Sequence, residues 1–388
     1  MRRLTLAPRP GWRDKAEAVG FTWHNADGRL YWDERACYAF SLAQVEDDIE
    51  TAAADLHGLC LDLVDEVVQS EALLTRLAIP RAAFGLVSDS WRAEEPSLYG
   101  RFDFGYDGEG PPKLYEYNAD TPTSIYEAAV FQWLWLEDMI ASGALPAASD
   151  QFNSLYDKLK ARFGAIFPHG GFVHFAGEAD VEEDRQTVRF LEDMASQAGL
   201  EPKFTALRDI GLDADGRFVD RDNFIIQAMF KLHPWENMLR DVFAKDIAAS
   251  RTQFLEPPWK SVLSNKGILP LLWERHPGHP NLLEAYFDDD PQAASLGRAY
   301  ARKPLFSREG ANVELYEDGR RERGLDQGYG AEGWIRQALW AQPSFDGNYP
   351  VIGAWMIGDE PAGMGVREDR SRVTQDTSRF VPHIIVGD

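Results

Sequence analysis

The sequence predicts a mixed α/β or α+β protein without a clean internal boundary. Three observations carry this. Strand-like and helix-like stretches alternate along all 388 residues. Hydrophobic residues make up 44% and aromatic residues 12%, enough for a substantial core and too much for a disordered chain. No internal repeat, low-complexity segment or obvious linker interrupts the pattern. At roughly 150 residues per domain, the length allows two to three units or one large fused fold.

Residues 1–40 read as short elements rich in Trp and Tyr. Leu42, Val45, Ile49, Ala52, Leu56, Leu59, Leu63 and Val67 step by three or four, which predicts a long amphipathic helix packed on a core and ending before Pro80. Leu98 to Phe104 and Lys113 to Asn118 read as paired strands around a loop rich in Gly and Pro (107–112). A helix is expected from about Ser124 to Ile140, and a short strand from Gly171 to Phe175. Asp180 reads as the N-cap of a following helix, with Glu183 three residues on. Asp213 to Gly216 is a hairpin turn that lacks the further acidic positions of a calcium loop. Ile225 to Phe230 is a strand candidate. Residues 255–275, with Pro257, Pro258 and Pro270, read as irregular or short-helical. Val351 to Ile357 and Gly363 to Arg367 read as two late strands across the turn 358–361.

Composition excludes several function classes. Forty Lys and Arg face 63 Asp and Glu, a net charge of −23, which opposes non-specific nucleic-acid binding. Two distant cysteines, Cys37 and Cys60, exclude a disulfide framework and argue against a cysteine zinc site. No apolar stretch follows Met1-Arg2-Arg3-Leu4, so no signal peptide is expected. The most apolar run, Phe131 to Ile140, is broken by Glu137 and Asp138, so no membrane span is expected and the cytoplasm is the default location. His276 and His279 flank Pro277 and Gly278 and read as a loop rather than a zinc face. His174 reads as an exposed or hydrogen-bonded strand histidine. No GxSxG occurs and no GxGxxG stands after a strand, so hydrolase-triad and nicotinamide readings lack support.

The richest segment is 101–127. Strand alternation puts Arg101 and Asp103 on one face, Phe102 and Phe104 on the other, and Glu116 with Asn118 on one face of the next strand. Paired as a hairpin, Asp103, Glu116 and Asn118 converge as hard oxygen donors suited to Mg²⁺, with Arg101 beside them as a planar donor to phosphate. The bland alternative is a solvated polar face. The loop Ala119 to Ser124 places hydroxyls before a helix start, where they cap the helix or hold an anionic group. Of Lys231, Lys266 and Lys303, two border apolar or glycine-containing segments in an acidic protein, which favours a phosphate role over plain surface. Ser307 to Asn312, which includes Arg308, Glu309 and Gly310, is a polar loop able to fold over a triphosphate. Arg367 closes a late strand and is a candidate second cation.

The segment RFDF…PKLYEYNADTPTS resembles the ATP-grasp synthetase domain of bacterial glutathionylspermidine synthetase and its stand-alone acid–amine ligase relatives. The resemblance extends through residues 254–273, 300–315 and 335–340 to GMGVREDRSRVTQD (363–376). It implies one ATP-grasp unit over 1–388, an α+β fold with nucleotide between two α+β lobes and no amidase domain. It also implies ATP-dependent amide formation through an acyl phosphate. By this likeness Asp103, Glu116 and Asn118 hold Mg²⁺, Lys266 and Lys303 hold the α- and β-phosphates, and Arg101 and Arg367 flank the transferring group. The loop with Arg308, Glu309 and Gly310 closes over it. The backbone around Gln337, Leu339 and Trp340 faces adenine, and Arg372, Val373 and Thr374 lie near the nucleotide. Thr121 and Thr123 are expected at the acid substrate, Glu182 and Glu183 at the amine, and Lys231 at a substrate. Leu232 and Val351 stand where the synthetase has threonine and glutamine, so a related acid–amine ligase is expected rather than glutathionylspermidine synthesis itself. That synthesis and a non-catalytic nucleotide-binding protein are the alternatives. The partners implied are a small acid and an amine, with their identity and the oligomeric state left open.

Overall fold

A five-stranded antiparallel sheet carries the expected hairpin at one edge. Its order is Arg379–Val381, Glu360–Asp369, Tyr349–Ile357, Tyr99–Gly105 and Lys113–Asn118. Early and late parts of the chain therefore pair, with Gly353 opposite Asp103 and Trp355 opposite Arg101. Within the hairpin Asp103 faces Glu116 and Arg101 faces Asn118, and an irregularity after Asp103 takes up Tyr115. This is a computed structural model, and it describes residues 1–26, 28–375 and 377–387. Asp376, the last residue of the 363–376 motif, lies outside them.

The alternation sends Phe102, Phe104, Leu114 and Tyr117 to the other face, where none is more than 3% exposed. Phe102 and Tyr117 stack with ring centroids 3.8 Å apart. This face packs on the helix Thr51–Val68, whose Leu56, Cys60, Leu63, Val64 and Val67 belong to the same core. The long helix read from the sequence is segmented. It opens as a π-helical stretch, Gln44–Glu50, and ends at Val68. Ser70 then accepts a bond from the Leu73 amide and caps a separate helix, Glu71–Arg76.

A second sheet is wholly parallel, in the order Gln253–Leu255, Ala228–Lys231, Gly171–Gly177, Leu200–Ala206. The helix Glu182–Gln197 connects its last two strands, as parallel pairing requires. Val188, Leu191 and Met194 of that helix pack with Val173, Phe175 and Phe230. Asp180 does not cap it. Val181 holds the cap position without a side-chain bond, and Asp180 pairs with Arg208. The strand expected at 225–230 is Ala228–Lys231, while Ile225 bridges Val219. His174 is fully buried with Nε2 3.1 Å from Asp220 Oδ2, the hydrogen-bonded alternative.

A third sheet is antiparallel: Ala285–Phe287, Trp334–Ala338, Tyr300–Pro304, Glu314–Glu317 and Arg320–Arg323. Two short helices, Lys260–Leu263 and Ile268–Arg275, precede it. The turn between them is tied to the sheet by the Lys266 amide, which donates to Leu305 O at 2.9 Å. A small fourth sheet joins Arg2–Thr5, Ala36–Phe40 and His383–Ile385. Among the described residues no helix is long and apolar enough to cross a membrane. Cys37 and Cys60 are both buried and unpaired.

Candidate functional site

The polar face of the hairpin, the Lys266 turn and the third sheet enclose a cleft of about 1370 Å³, its open mouth included. Six basic side chains line it, Arg101, Lys266, Lys303, Arg308, Arg367 and Arg372, against three acidic ones, Asp103, Glu116 and Glu309. The chain carries −23 overall, so the cleft reverses the sign of the body around it. Asn118, Thr121, Thr123, Gly310, Gln337, Leu339, Trp340, Val373 and Thr374 also line it, with apolar walls from Ile268, Leu269, Leu283, Val313 and Leu315.

Strand pairing positions the first cation. Arg101 lies across Gly353 of the neighbouring strand, where a Cβ would stand 2.7 Å from Arg101 Cδ, so the position needs glycine. Its guanidinium donates from Nε to Asp103 Oδ1 at 2.6 Å, from Nη2 to Asp103 Oδ2 at 3.0 Å, and from Nη1 to Thr123 O at 2.7 Å. Glu116 Oε2 is 2.8 Å from Lys266 Nζ, which also donates to Ser307 O at 2.8 Å. Burial alone would raise the Glu116 carboxyl, but Lys266, then Lys303 and Arg101, hold it at about 2. Lys303 Nζ donates to Gln337 Oε1 at 2.7 Å and to Tyr115 O at 2.8 Å. Burial brings Lys303 down to about 8, against the pull of Glu116. Gln337 also donates to Leu114 O at 2.9 Å, so its side chain braces the two sheets where they meet at the cleft.

The remaining expected residues divide. Asn118 Oδ1 accepts from the Thr121 amide at 3.2 Å and fixes the loop after the hairpin. Arg372 is engaged by Glu317 at 2.9 Å and Glu322 at 2.6 Å. The side chain of Arg367 makes no hydrogen bond or salt bridge among the described residues, which leaves a cation in the cleft with its donors unspent. Gly310, at φ 67°, lies where a Cβ would stand 2.1 Å from Thr374 O, so the 307–312 loop is pressed onto the 373–374 segment.

Glu182, Glu183 and Lys231 do not line the cleft. Lys231 is fully buried, its Nζ bound to Asp120 and to His233 O at 3.0 Å, so the group expected at a substrate is spent inside the fold. Glu182 is exposed and accepts from Thr22 at 2.7 Å and Gln186 at 2.9 Å. Glu183 is half-buried, and burial with Glu127 and Glu309 nearby pushes it up to about 8. Asp184 is pushed up to about 6 by burial and by Glu309 and Glu178. Asp184 and Glu127 went unread in the sequence. Glu127 follows Ser124 at capping-box spacing, but it is 1% exposed and accepts from Trp23 Nε1 at 2.8 Å.

The donor set suits a divalent ion shared with a ligand. Two carboxylates and an amide lie in adjacent cross-strand pairs on one face, and oxygen donors of this type suit Mg²⁺ with its other positions on phosphate or water. Among the described residues no three His, Cys, Asp or Glu side chains form a group able to hold a metal, so the protein offers no all-protein cage.

Comparison with known proteins agrees with this architecture. A Haemophilus influenzae protein named as a putative acid–amine ligase is 40% identical over 401 residues, covering all of both chains. The trypanothione synthetase of Crithidia fasciculata is 30% identical over 84% of this chain and 53% of its own. The bifunctional glutathionylspermidine synthetase/amidase of Escherichia coli is 28% identical over 97% of this chain and 63% of its own. The chain thus spans the whole of the first and between half and two thirds of the other two. The solved structure of a glutathione synthetase-like effector from Globodera pallida shares the fold, with a TM-score of 0.51 at 10% identity over 84% of this chain and 87% of that one. The family described as glutathionylspermidine synthase preATP-grasp matches residues 3–386, and the chain belongs to it.

Proposed function

We propose that the cleft is the active site of an ATP-grasp ligase that joins a carboxylate to an amine, at the expense of ATP and with Mg²⁺. The observation that carries this is the gathering of six cations around the facing carboxylates Asp103 and Glu116 in a chain of charge −23. A polyphosphate needs such a surface, and phosphoryl transfer is catalysed mainly by positioning and charge stabilisation.

In this reading Lys266 and Lys303 bind the α- and β-phosphates. Lys303, already drawn down by burial, regains full charge beside phosphate. Asp103, Glu116 and Asn118 hold Mg²⁺, which supplies neutralisation of the phosphate oxygens. Leu339, Trp340 and the backbone at Gln337 border the adenine, and Arg372, Val373 and Thr374 flank the nucleotide. Thr121 and Thr123 orient the acid. Its carboxylate oxygen attacks the γ-phosphorus, the bond to the β-phosphate oxygen breaks, and ADP leaves. Arg101 and Arg367 balance charge on the transferring group, Arg367 with donors free to do so. The amine nitrogen attacks the acyl carbon, the bond from that carbon to the phosphate oxygen breaks, and the departing phosphate takes the proton that the nitrogen loses. Glu182 and Asp184 favour a cationic amine, whose charge would draw the proton off neighbouring Glu183. The 307–312 loop, with Arg308, Glu309 and Gly310, keeps water from the acyl phosphate.

The 40% identity to the Haemophilus influenzae protein named as a putative acid–amine ligase, against 28% to the glutathionylspermidine synthetase/amidase, favours a related acid–amine ligase over the glutathione–spermidine reaction. Incubation with Mg·ATP and pooled carboxylates and amines should yield a new amide by mass spectrometry, with ADP and phosphate in equal amounts. Asp103→Ala and Glu116→Ala should each lower that turnover at least 100-fold while far-UV circular dichroism stays unchanged. Full turnover in both variants would remove the metal assignment.

A further inference from the structure

Arg308 lies in the 307–312 loop, yet both acceptors of its guanidinium stand outside that loop. Nη1 donates to Thr121 Oγ1 at 2.6 Å and Nη2 to Glu236 Oε1 at 2.7 Å. Thr121 belongs to the loop after the hairpin, and Glu236 to the short helix Trp235–Met238. Glu236 does not line the cleft, and its side chain is only 9% exposed. Arg308 is its one salt-bridge partner among the described residues, and Glu236 Oε2 is buried with no hydrogen-bond partner.

A rigid post presents these two acceptors together. Asp120 is fully buried and binds Lys231 Nζ on one oxygen and the Trp235 amide, at 2.8 Å, on the other. Trp235 Nε1 in turn donates to Glu256 O at 3.0 Å. Thr121 and Glu236 each follow a residue of this post directly, so their separation is set by buried bonds. The loop itself is held by amides of Ala311, Asn312 and Val313, which donate to Arg308 O, Leu325 O and Gly310 O at 2.9, 2.7 and 3.1 Å.

We infer that Glu236 is a positioning residue: it docks Arg308 against the Asp120–Lys231–Trp235 post and so holds the 307–312 loop closed over the cleft. A nearly buried carboxylate with a single cationic partner is strongly coupled to it, because removing either charge strands the other. Lys231, expected at a substrate, acts here one step removed, by fixing Asp120. The consequence for catalysis rests on the nucleotide reading above. The docking itself does not, and the two separate in one experiment.

Hydrogen exchange of the full chain is followed by mass spectrometry, with and without Mg·ATP, for the parent, Glu236→Gln, Glu236→Asp, Arg308→Met and the Glu236→Gln/Arg308→Met double variant. In the ligand-free state Glu236→Gln should speed exchange at 311–313 at least 10-fold, with amides of Tyr349–Ile357 unchanged. The double variant should match the faster single, and Glu236→Asp should recover part of the protection. Unchanged exchange at 311–313, or single effects that multiply in the double variant, would overturn the inference. If Mg·ATP leaves the parent pattern unaltered, the nucleotide reading fails while the ligand-free comparison still decides the docking. In the active enzyme Glu236→Gln should raise the KM for ATP about 10-fold with a smaller change in kcat; an equal loss in kcat alone would speak against positioning.

Discussion

Glu183 concentrates the electrostatic tension of the site. Burial, with Glu127 and Glu309 nearby, moves its carboxyl from an ordinary 4.5 up to about 8. The folded state therefore binds a proton that the unfolded chain releases above pH 4.5. Stability tied to this group is full below that pH and is lost as pH rises through 8. Glu183→Gln should be nearly neutral at pH 5 and stabilising at pH 8.5, read as a urea midpoint close to the parent's at pH 5 and above it at pH 8.5. A midpoint change equal at both pH values would show that the carboxyl is not held protonated. Single residues were unevenly legible in the sequence. Asp103 and Glu116 followed from alternation, since a strand fixes the face of every second side chain. Lys231 was misleading because its partner, Asp120, stands 111 positions away, and no local pattern announces so distant a pair.

At the level of elements, the hairpin and the late strands were readable because turn residues bracket runs of period two. What pattern could not supply was their neighbours: the pairing of Tyr349–Ile357 with Tyr99–Gly105 comes from packing. The long helix was legible in its apolar stripe, but not in its break, which Ser70 makes by capping a new start. The 307–312 loop was read as able to fold over phosphate, while its seam with residues 373–374 was invisible. Gly310 is the test of that seam. An alanine there meets both an unfavourable φ of 67° and the Thr374 carbonyl. Gly310→Ala should cost about 1–2 kcal/mol of stability from the backbone conformation alone. It should also weaken Mg·ATP affinity at least 10-fold by calorimetric titration, whereas affinity equal to the parent would detach the loop from the nucleotide.

Across the whole molecule, the cleft is assembled from the central sheet, the third sheet and the 367–374 segment, so a ligand there ties distant parts together. Thermal unfolding followed by tryptophan fluorescence, with Trp340 in the cleft as a reporter, should show one transition that Mg·ATP moves upward. At a concentration 100 times its Kd the added stability should be about 2.7 kcal/mol. Two transitions, of which the nucleotide shifts one, would mean that the sheets melt independently. The alternation of strand-like and helix-like stretches made the mixed architecture readable, and the charge of −23 opposed non-specific nucleic-acid binding. It concealed the local reversal, which exists only after Arg101, Lys266, Lys303 and Arg367 are brought together from separate stretches.

The partnership of Tyr99–Gly105 with Tyr349–Ile357 also governs biosynthesis. The hairpin leaves the ribosome long before the strand that carries Gly353, and until then Arg101 has no backbone to lie across. A nascent polypeptide that ends before residue 349 lacks the strand that pairs along Tyr99–Gly105. The central sheet is thus completed across a separation of about 250 positions, a contact of the kind that slows folding.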